Sequence, residues 1–443
     1  MNLSIFDMLY SKYKITKPVR LIELFAGYGS QALALKYLGV NFEYWKICEW
    51  AVKSIQAYKD IHFTDIMCVR QPMLKEELVD YLYNKGISQN YNDSMTKQQI
   101  LRLNEKSLNT IYDNIQITHN LVNIQQVKGE DLEIVDTDKY DYILTYSFPC
   151  QDLSLAGKGK GMSDTSTRSG MLWEVERILT ECHELGTMPQ ILLMENVPQV
   201  HGTDNVRDFN KWQLRLEELG YKNYMKDLIA TDYGIPQTRN RCFMVSILGE
   251  YSYTFPEHTP LKLKLKDMLE DNVEEKYYLS DKMLDYCFGI NQKNSKFPRK
   301  ERFLQSLEQT NDKNIATTIT TNAGNRPTDN FIKIKNATKK GYLEATDGDG
   351  IDLAQPNSKT RRGRVQKELI QTLTTQNNLG VVNDLRIRKL TPKECFRLMG
   401  VKDDDFEKVR KNQSDSSLYH LAGDSIVVNV LMAIFKELLI EEV

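Results

Sequence analysis

The sequence has no Cys-x-x-Cys pair, no basic N-terminal run feeding an apolar segment, and no apolar stretch near the roughly 20 residues that cross a bilayer. It also lacks an internal repeat, a low-complexity tract and any large excess of one charge, the formal net charge being −2. These absences exclude a disulfide framework, a zinc-ribbon type of structural metal and a membrane span, and no metal is expected. The seven cysteines (Cys48, Cys68, Cys150, Cys182, Cys242, Cys287 and Cys395) are odd in number and scattered, which fits a reduced, cytoplasmic compartment. A nucleic-acid partner would have to be held by a local basic patch rather than by the whole surface. With 41% hydrophobic and 27% charged residues over 443 positions, the composition is that of an ordinary globular protein with room for two domains.

The first clear signal is an apolar strand, 19–25, running into Ala26-Gly27-Tyr28-Gly29-Ser30 and then a helical pattern through Leu33, Leu35 and Leu38. Strand, glycine turn and helix open a doubly wound α/β domain. Further strands are expected at 42–48, 141–146, 190–195 and 242–248, with helices at 171–179 and 212–219, so the sheet should be mostly parallel. Between about 71 and 127 the pattern turns helical and polar, and this stretch reads as a helical insertion. From about 256 to 385 the α/β rhythm gives way to short Thr-rich stretches and Gly/Asn turns, read as small β elements and loops. Residues 355–393 carry nine Lys/Arg against Glu368 and Asp384 alone, a solvated face or a DNA-facing surface. An apolar helix, 426–439, closes the chain.

Four groups of residues carry chemistry. Glycines 27 and 29 let backbone approach a ligand at a helix N-terminus, although the full dinucleotide fingerprint is missing. Glu49-Trp50 follows the second strand, where a carboxylate binds ribose hydroxyls and an indole stacks on a base. Ser147-Phe148-Pro149-Cys150-Gln151 follows the third strand and sets Cys150 at a strand's carboxyl end, where open α/β sheets bind their ligands. Glu195-Asn196-Val197 ends the next strand, and Gln237-Thr238-Arg239-Asn240-Arg241 leads into another. A thiol, a carboxyl group and two guanidiniums converging there make a nucleophile, an acid and an electrostatic clamp.

In this order, and with Arg388-Lys389-Leu390-Thr391-Pro392-x-Glu394 and Gly423-Asp424-Ser425 following, the blocks resemble the bacterial and phage DNA cytosine-5 methyltransferases. The resemblance implies a Rossmann-like S-adenosylmethionine-dependent methyltransferase fold, with catalytic residues 1–255 and 386–443 and a smaller, mostly β or irregular target recognition domain at 256–385. It implies that Cys150 attacks C6 of a flipped-out cytosine. Glu195 would bind and protonate the ring, Arg241 would hold O2 and brace Glu195, and Arg239 would lie near Cys150. Phe148, Pro149, Asn196 and Gln237 would line the base pocket. For S-adenosylmethionine it implies Phe25, Gly27 and Gly29 at the methionine end, Glu49 at the ribose and Trp50 on the adenine. Met171 closes the pocket or is a buried helix residue. The acid on the adenine amine is Asp65 or Asp131; Asp131, with Leu132 beside it, is preferred for its distance to Cys150.

The block Gly423-Asp424-Ser425 departs from the family's Gly-Asn-Ser, which puts a charge near the methionine end. The implied substrate is double-stranded DNA, with a restriction endonuclease as a functional rather than physical partner, and the protein is expected to be a monomer. Arg361, Arg362 and Arg364 are candidate phosphate or groove contacts. Two rival readings are a tRNA cytosine-5 methyltransferase and a catalytically silent DNA-binding relative. The long recognition stretch speaks against the first, and the joint presence of Cys150, Glu195 and Arg241 against the second. A cysteine hydrolase is remote, since none of the six histidines lies in a suitable block.

Overall fold

A computed structural model describes residues 11–69, 71–149, 169–280, 332–356, 358–376, 378–383 and 386–439. Cys150 and the recognition-segment residues 281–331 lie outside these. The main sheet has the order β2-β1-β3-β4-β6-β5. Its strands are β1 (Val19–Leu24), β2 (Phe42–Cys48), β3 (Asp141–Tyr146), β4 (Ile191–Asn196), β5 (Tyr221–Ile229) and β6 (Asn240–Leu248). Strands β1 to β4 are mutually parallel, whereas β6 pairs antiparallel with both β4 and β5.

Because strand side chains alternate in direction, each central strand feeds two cores. Ile191 and Leu193 of β4 and Phe243, Val245 and Ile247 of β6 go to one face. There they meet α1 (Ser30–Leu38) and the C-terminal helix α11 (Val428–Lys436). Leu192, Met194, Cys242 and Met244 go to the other, against α6 (Leu172–Leu185) and α7 (Val206–Glu218). Strands buried on both faces explain the near-continuous apolar runs that mark β1, β3 and β4 in the sequence.

After α2 (Val52–His62) the insertion is helical, with α3 (Lys75–Lys85), α4 (Lys97–Leu101) and α5 (Glu105–Ile117). Leu78, Val79, Leu82, Ile100, Leu108, Ile111 and Ile115 form its own apolar cluster, against which Trp50 leans. In the recognition segment a hairpin, β7 (Ile332–Lys335) with β8 (Tyr342–Ala345), stands beside a four-stranded sheet. That sheet has the order β10-β9-β11-β12, from β9 (Gly350–Asp352), β10 (Val365–Gln366), β11 (Leu379–Asn383) and β12 (Arg386–Lys389). It therefore runs past residue 385, the boundary expected from composition.

Helices α8 (Pro392–Arg397), α9 (Asp403–Arg410) and α10 (Asp415–Asp424) lead from this sheet back to α11. The stretch Asp415–Lys436 reaches the length and apolarity of a membrane span, but it is broken between α10 and α11 and 72% of its most apolar window is buried inside the protein. Thr391 caps α8 by accepting from the amide of Glu394, with Pro392 in the first turn. Glu394 in turn takes both guanidinium nitrogens of Arg388, each at 2.8 Å, and neither side chain is exposed.

Removing one member of a buried bidentate pair strands the other charge, which costs roughly 3–5 kcal/mol. Glu394→Ala is therefore expected to lower the free energy of unfolding by about that amount, read from urea midpoints; a loss under about 1 kcal/mol would contradict the pairing.

Candidate active site

The antiparallel run of β6 brings the two ends of the site together. Its first residues lie beside the carboxyl end of β4, with Asn196 opposite Cys242 and Glu195 opposite Phe243. By alternation Arg241 projects on the same face as Phe243 and hence as Glu195. Arg241 Nε lies 3.2 Å from Glu195 Oε1. Burial raises the Glu195 carboxyl above the ordinary range; Arg241 and then Arg239 pull it back, and Asp424 pushes it up. An acid so placed keeps its proton closer to neutral pH than a surface glutamate does.

Asn196 points to the opposite face. Its Nδ2 donates to the carbonyl of Phe148 at 3.0 Å, while Oδ1 accepts from the amide of Val197. Phe148 is buried in the core under α6 and α7. Neither residue faces a base: Asn196 fixes the backbone that leads through Pro149 to Cys150, and Phe148 anchors it. Gln237 is likewise spent on structure. It is fully buried, donating to the carbonyl of Leu398 at 2.7 Å and accepting from the amide of Leu373 at 3.0 Å.

Arg239 is also buried, and it donates to the carbonyls of Leu373, Gly423 and Ser425. It reaches Glu195 through its charge while its hydrogen bonds tie down the C-terminal block, so it is a positioning residue.

Glu49 stands just beyond β2. Its two carboxylate oxygens accept from the amides of Gly27 (2.9 Å) and Ala51 (2.7 Å). Burial pushes it up to about 7, the two amides pull it back, and Asp424 pushes it further up. Gly27 has φ +56, and a Cβ there would meet no atom within 4 Å, so that side of the turn is open to a ligand. Gly29 serves differently: at φ +83 its missing Cβ makes room for His62 and Tyr58 of α2. Phe25, at φ 60, donates its amide to the carbonyl of Cys48. Ser425 Oγ lies 2.8 Å from the hydroxyl of Tyr28 and so joins the C-terminal block to the glycine turn. Met171 ends the short turn before α6 and packs partly on the core.

Asp131 and Leu132 are not at this end of the sheet. Their turn packs on the last turns of α6, where the amide of Gly129 donates to Glu181. Asp131 accepts from the amide of Lys128 within its own turn, and Leu132 is buried. Since α6 runs from the strands' carboxyl ends toward their amino ends, both residues sit at the far edge from Glu49. Asp65 lies exposed on the turn beyond the end of α2. The position beside Glu49 belongs instead to Asn120, whose side chain binds the backbone amide and carbonyl of Glu49. It stands in a short extended segment that bridges to Ile47 of β2. Nothing in the helical pattern of 71–127 announces that segment, since it is too short for strand alternation to register.

The recognition arginines are committed locally. Arg361 pairs with Asp352 at 2.6 Å, Arg362 donates to the carbonyl of Ala337, and buried Arg364 donates to the carbonyls of Asp352 and Ala354. Arg364 is therefore no phosphate contact. Among the described residues, His201, Asp227 and Cys242 offer atoms spaced for a metal. Burial and then Asp227 push the Cys242 thiol well up, which keeps it protonated and a poor ligand.

Among solved structures, the Entamoeba histolytica methyltransferase EhMeth matches with a TM-score of 0.52 over 96% of this chain and 98% of its own, at 14% identity. The S. pombe Dnmt2 methyltransferase matches at 0.51 and 15%. With a carboxylate at the end of β2 and an acid–guanidinium pair at the end of β4, the chain has the architecture of a Rossmann-like methyltransferase. A model of the C-5 cytosine-specific DNA methylase family matches residues 77–439. The type II methyltransferase M2.ScrFI of Lactococcus lactis subsp. cremoris is 32% identical over 425 residues, 95% of this chain and 99% of its own. The orphan methyltransferase M.SssI of Spiroplasma monobiae is 36% identical over 272 residues, 60% of this chain and 68% of its own. The chain belongs to the C-5 cytosine-specific DNA methylase family, and its activity is methylation of cytosine C5 in DNA.

Asn196→Ala leaves the Phe148 carbonyl without its donor, costing about 1–3 kcal/mol and loosening the approach to Cys150. Turnover is expected to fall at least about tenfold, while the dissociation constant of the methyl donor, measured by calorimetry, stays within about twofold. Unchanged turnover would refute the positioning role.

Proposed function

We propose that the methyl donor is S-adenosylmethionine and that the reaction passes through a covalent bond between Cys150 and C6 of a flipped-out cytosine in duplex DNA. The observation that carries this reading is the pairing of buried Glu195 with Arg241 at the carboxyl end of β4, on the strand next to the one leading to Phe148, Pro149 and Cys150. When bound, S-adenosylmethionine supplies an electrophilic methyl group. The crevice suits such a cation: the charges of Glu49 and Asp424 act on one another there, and the Gly27 turn is open on one side.

In this scheme the Cys150 thiolate adds to C6 and Glu195 delivers its proton toward N3, so that C5 becomes the nucleophile. Arg241 holds Glu195 in register and binds the ring's O2. After methylation, loss of the C5 proton expels the sulfur and restores the ring. Extruding the base is required because C5 and C6 are stacked inside the duplex. The protein would act as a monomer in the cytoplasm, on a specific sequence read by the recognition segment. A restriction endonuclease would be its functional partner, a reading supported by the likeness to a type II methyltransferase.

Cys150→Ser should cut methyl incorporation by on the order of a thousandfold or more, and should abolish covalent trapping on duplex DNA carrying 5-fluorocytosine. Methylation by this variant at the wild-type rate would sink the covalent scheme.

The charge of Asp424 gives a second test. Asp424 favours the protonated form of Glu195, so removing its charge lowers the Glu195 pKa. The acid then loses its proton at lower pH, and Asp424→Asn is expected to shift the alkaline limb of the pH–rate profile downward. An upward shift would contradict the assignment of Glu195 as the acid.

A further inference from the structure

Strand β2 is an edge of the main sheet, so the backbone groups on its outer side have no neighbouring strand to meet. The segment leaving α5 covers that side at its carboxyl end. The amide of Leu121 donates to the carbonyl of Ile47 at 2.8 Å, and the amide of Ile47 donates to the carbonyl of His119. Two residues further on stands Glu49, and there the pairing continues through a side chain. Asn120 Oδ1 accepts from the amide of Glu49 at 3.1 Å, and its Nδ2 donates to the carbonyl of Glu49 at 2.9 Å. One donor and one acceptor on a planar amide thus take the place of a neighbouring strand's peptide group.

This segment is held against the preference of its backbone. His119 and Val122 adopt left-handed φ values of 50° and 72°, and for a β-branched residue that region is an outlier. Asn120 Oδ1 also accepts from the amide of Val122 at 2.9 Å, and the Val122 carbonyl accepts from the Cys48 thiol at 3.3 Å. Asn120 itself is buried. Strained backbone persists where its surroundings over-determine it, and here the group that does so is the one that grips Glu49. Glu49 is then held from three sides. The glycine turn and the entry to α2 bind its carboxylate through the amides of Gly27 and Ala51, and the exit of the insertion binds its backbone.

We propose that Asn120 is a positioning residue of the methyl-donor site, fixing the backbone of Glu49 so that its carboxylate meets the ribose hydroxyls. The insertion thereby sets cofactor affinity through one side chain, which acts on Glu49 and not on the ligand. This rests on the reading that S-adenosylmethionine binds with its ribose at Glu49.

The test is calorimetric titration of the full chain with S-adenosylmethionine and with S-adenosylhomocysteine, in wild type, Asn120→Ala, Glu49→Ala and the double variant, alongside thermal melts. Asn120→Ala is expected to weaken both ligands by about tenfold. On the Glu49→Ala background it should weaken them by less than about twofold further, since nothing is left to position. Two results overturn the inference: affinity of Asn120→Ala within about twofold of wild type, or the same tenfold loss on the Glu49→Ala background, which would mark a general loosening of the fold. Should Asn120→Ala melt below the assay temperature, Asn120→Asp keeps the acceptor for both amides and loses the donor to the Glu49 carbonyl. Its affinity is expected to fall by at least about threefold, and an unchanged value refutes the role. Wild-type protein that binds neither ligand, or Glu49→Ala that binds as wild type does, would instead sink the underlying cofactor reading.

Discussion

A carboxyl group that is to hold a proton near neutral pH must be kept from water, and one kept from water needs a cation close by when the proton leaves. Glu195 meets both conditions because β6 runs against β4. Had β6 been parallel like the other central strands, its first residues would lie at the amino ends and Arg241 would stand a full strand length from Glu195. The single reversed strand is thus the geometric condition on which the acid depends. Side-chain alternation does the rest, sending Glu195 and Arg241 to one face and Asn196 to the other.

The same end of the sheet explains why the chain must return to it after a long excursion. Arg239 and Gln237 spend hydrogen bonds on backbone from Leu373, Leu398, Gly423 and Ser425. Gly423 permits this: a Cβ there would fall 2.3 Å from the carbonyl carbon of Thr374. The segment leaving the recognition region, α10 and the start of β6 are therefore locked into one knot, and Asp424 is delivered to the crevice as a result. Loss of side-chain packing there would act on catalysis through position, not through contact with substrate.

Much of this was legible in the residues. The strand positions of β1 to β4 and β6 followed from apolar runs, and the pairing of Glu195 with Arg241 from the ordering of motifs. Strand β5 escaped because Lys222, Asn223, Lys226 and Asp227 break any apolar run on a sheet edge. The spacing that favoured Asp131 failed because chain distance to Cys150 does not say which end of the sheet a turn occupies; the packing of Gly129 on α6 decides that. Gln237, Arg239 and Asn196 look like substrate contacts in a motif, and only burial and their backbone partners show that they hold the frame. Arg364, one of three candidate contacts in the sequence, is likewise spent on backbone carbonyls.

The charges around the crevice couple its two halves. Asp424 raises both Glu49, on the cofactor side, and Glu195, on the base side. Carboxylates that repel one another are stabilised most by a positively charged occupant beside them. Such an occupant would also offset the field of Asp424 at Glu195, making the acid a readier proton donor once the pocket is filled. An asparagine at that position would keep the shape of the wall and remove this link. The departure from the family's Gly-Asn-Ser is thus more than a local change: it makes the proton affinity of Glu195 depend on what stands beside Glu49.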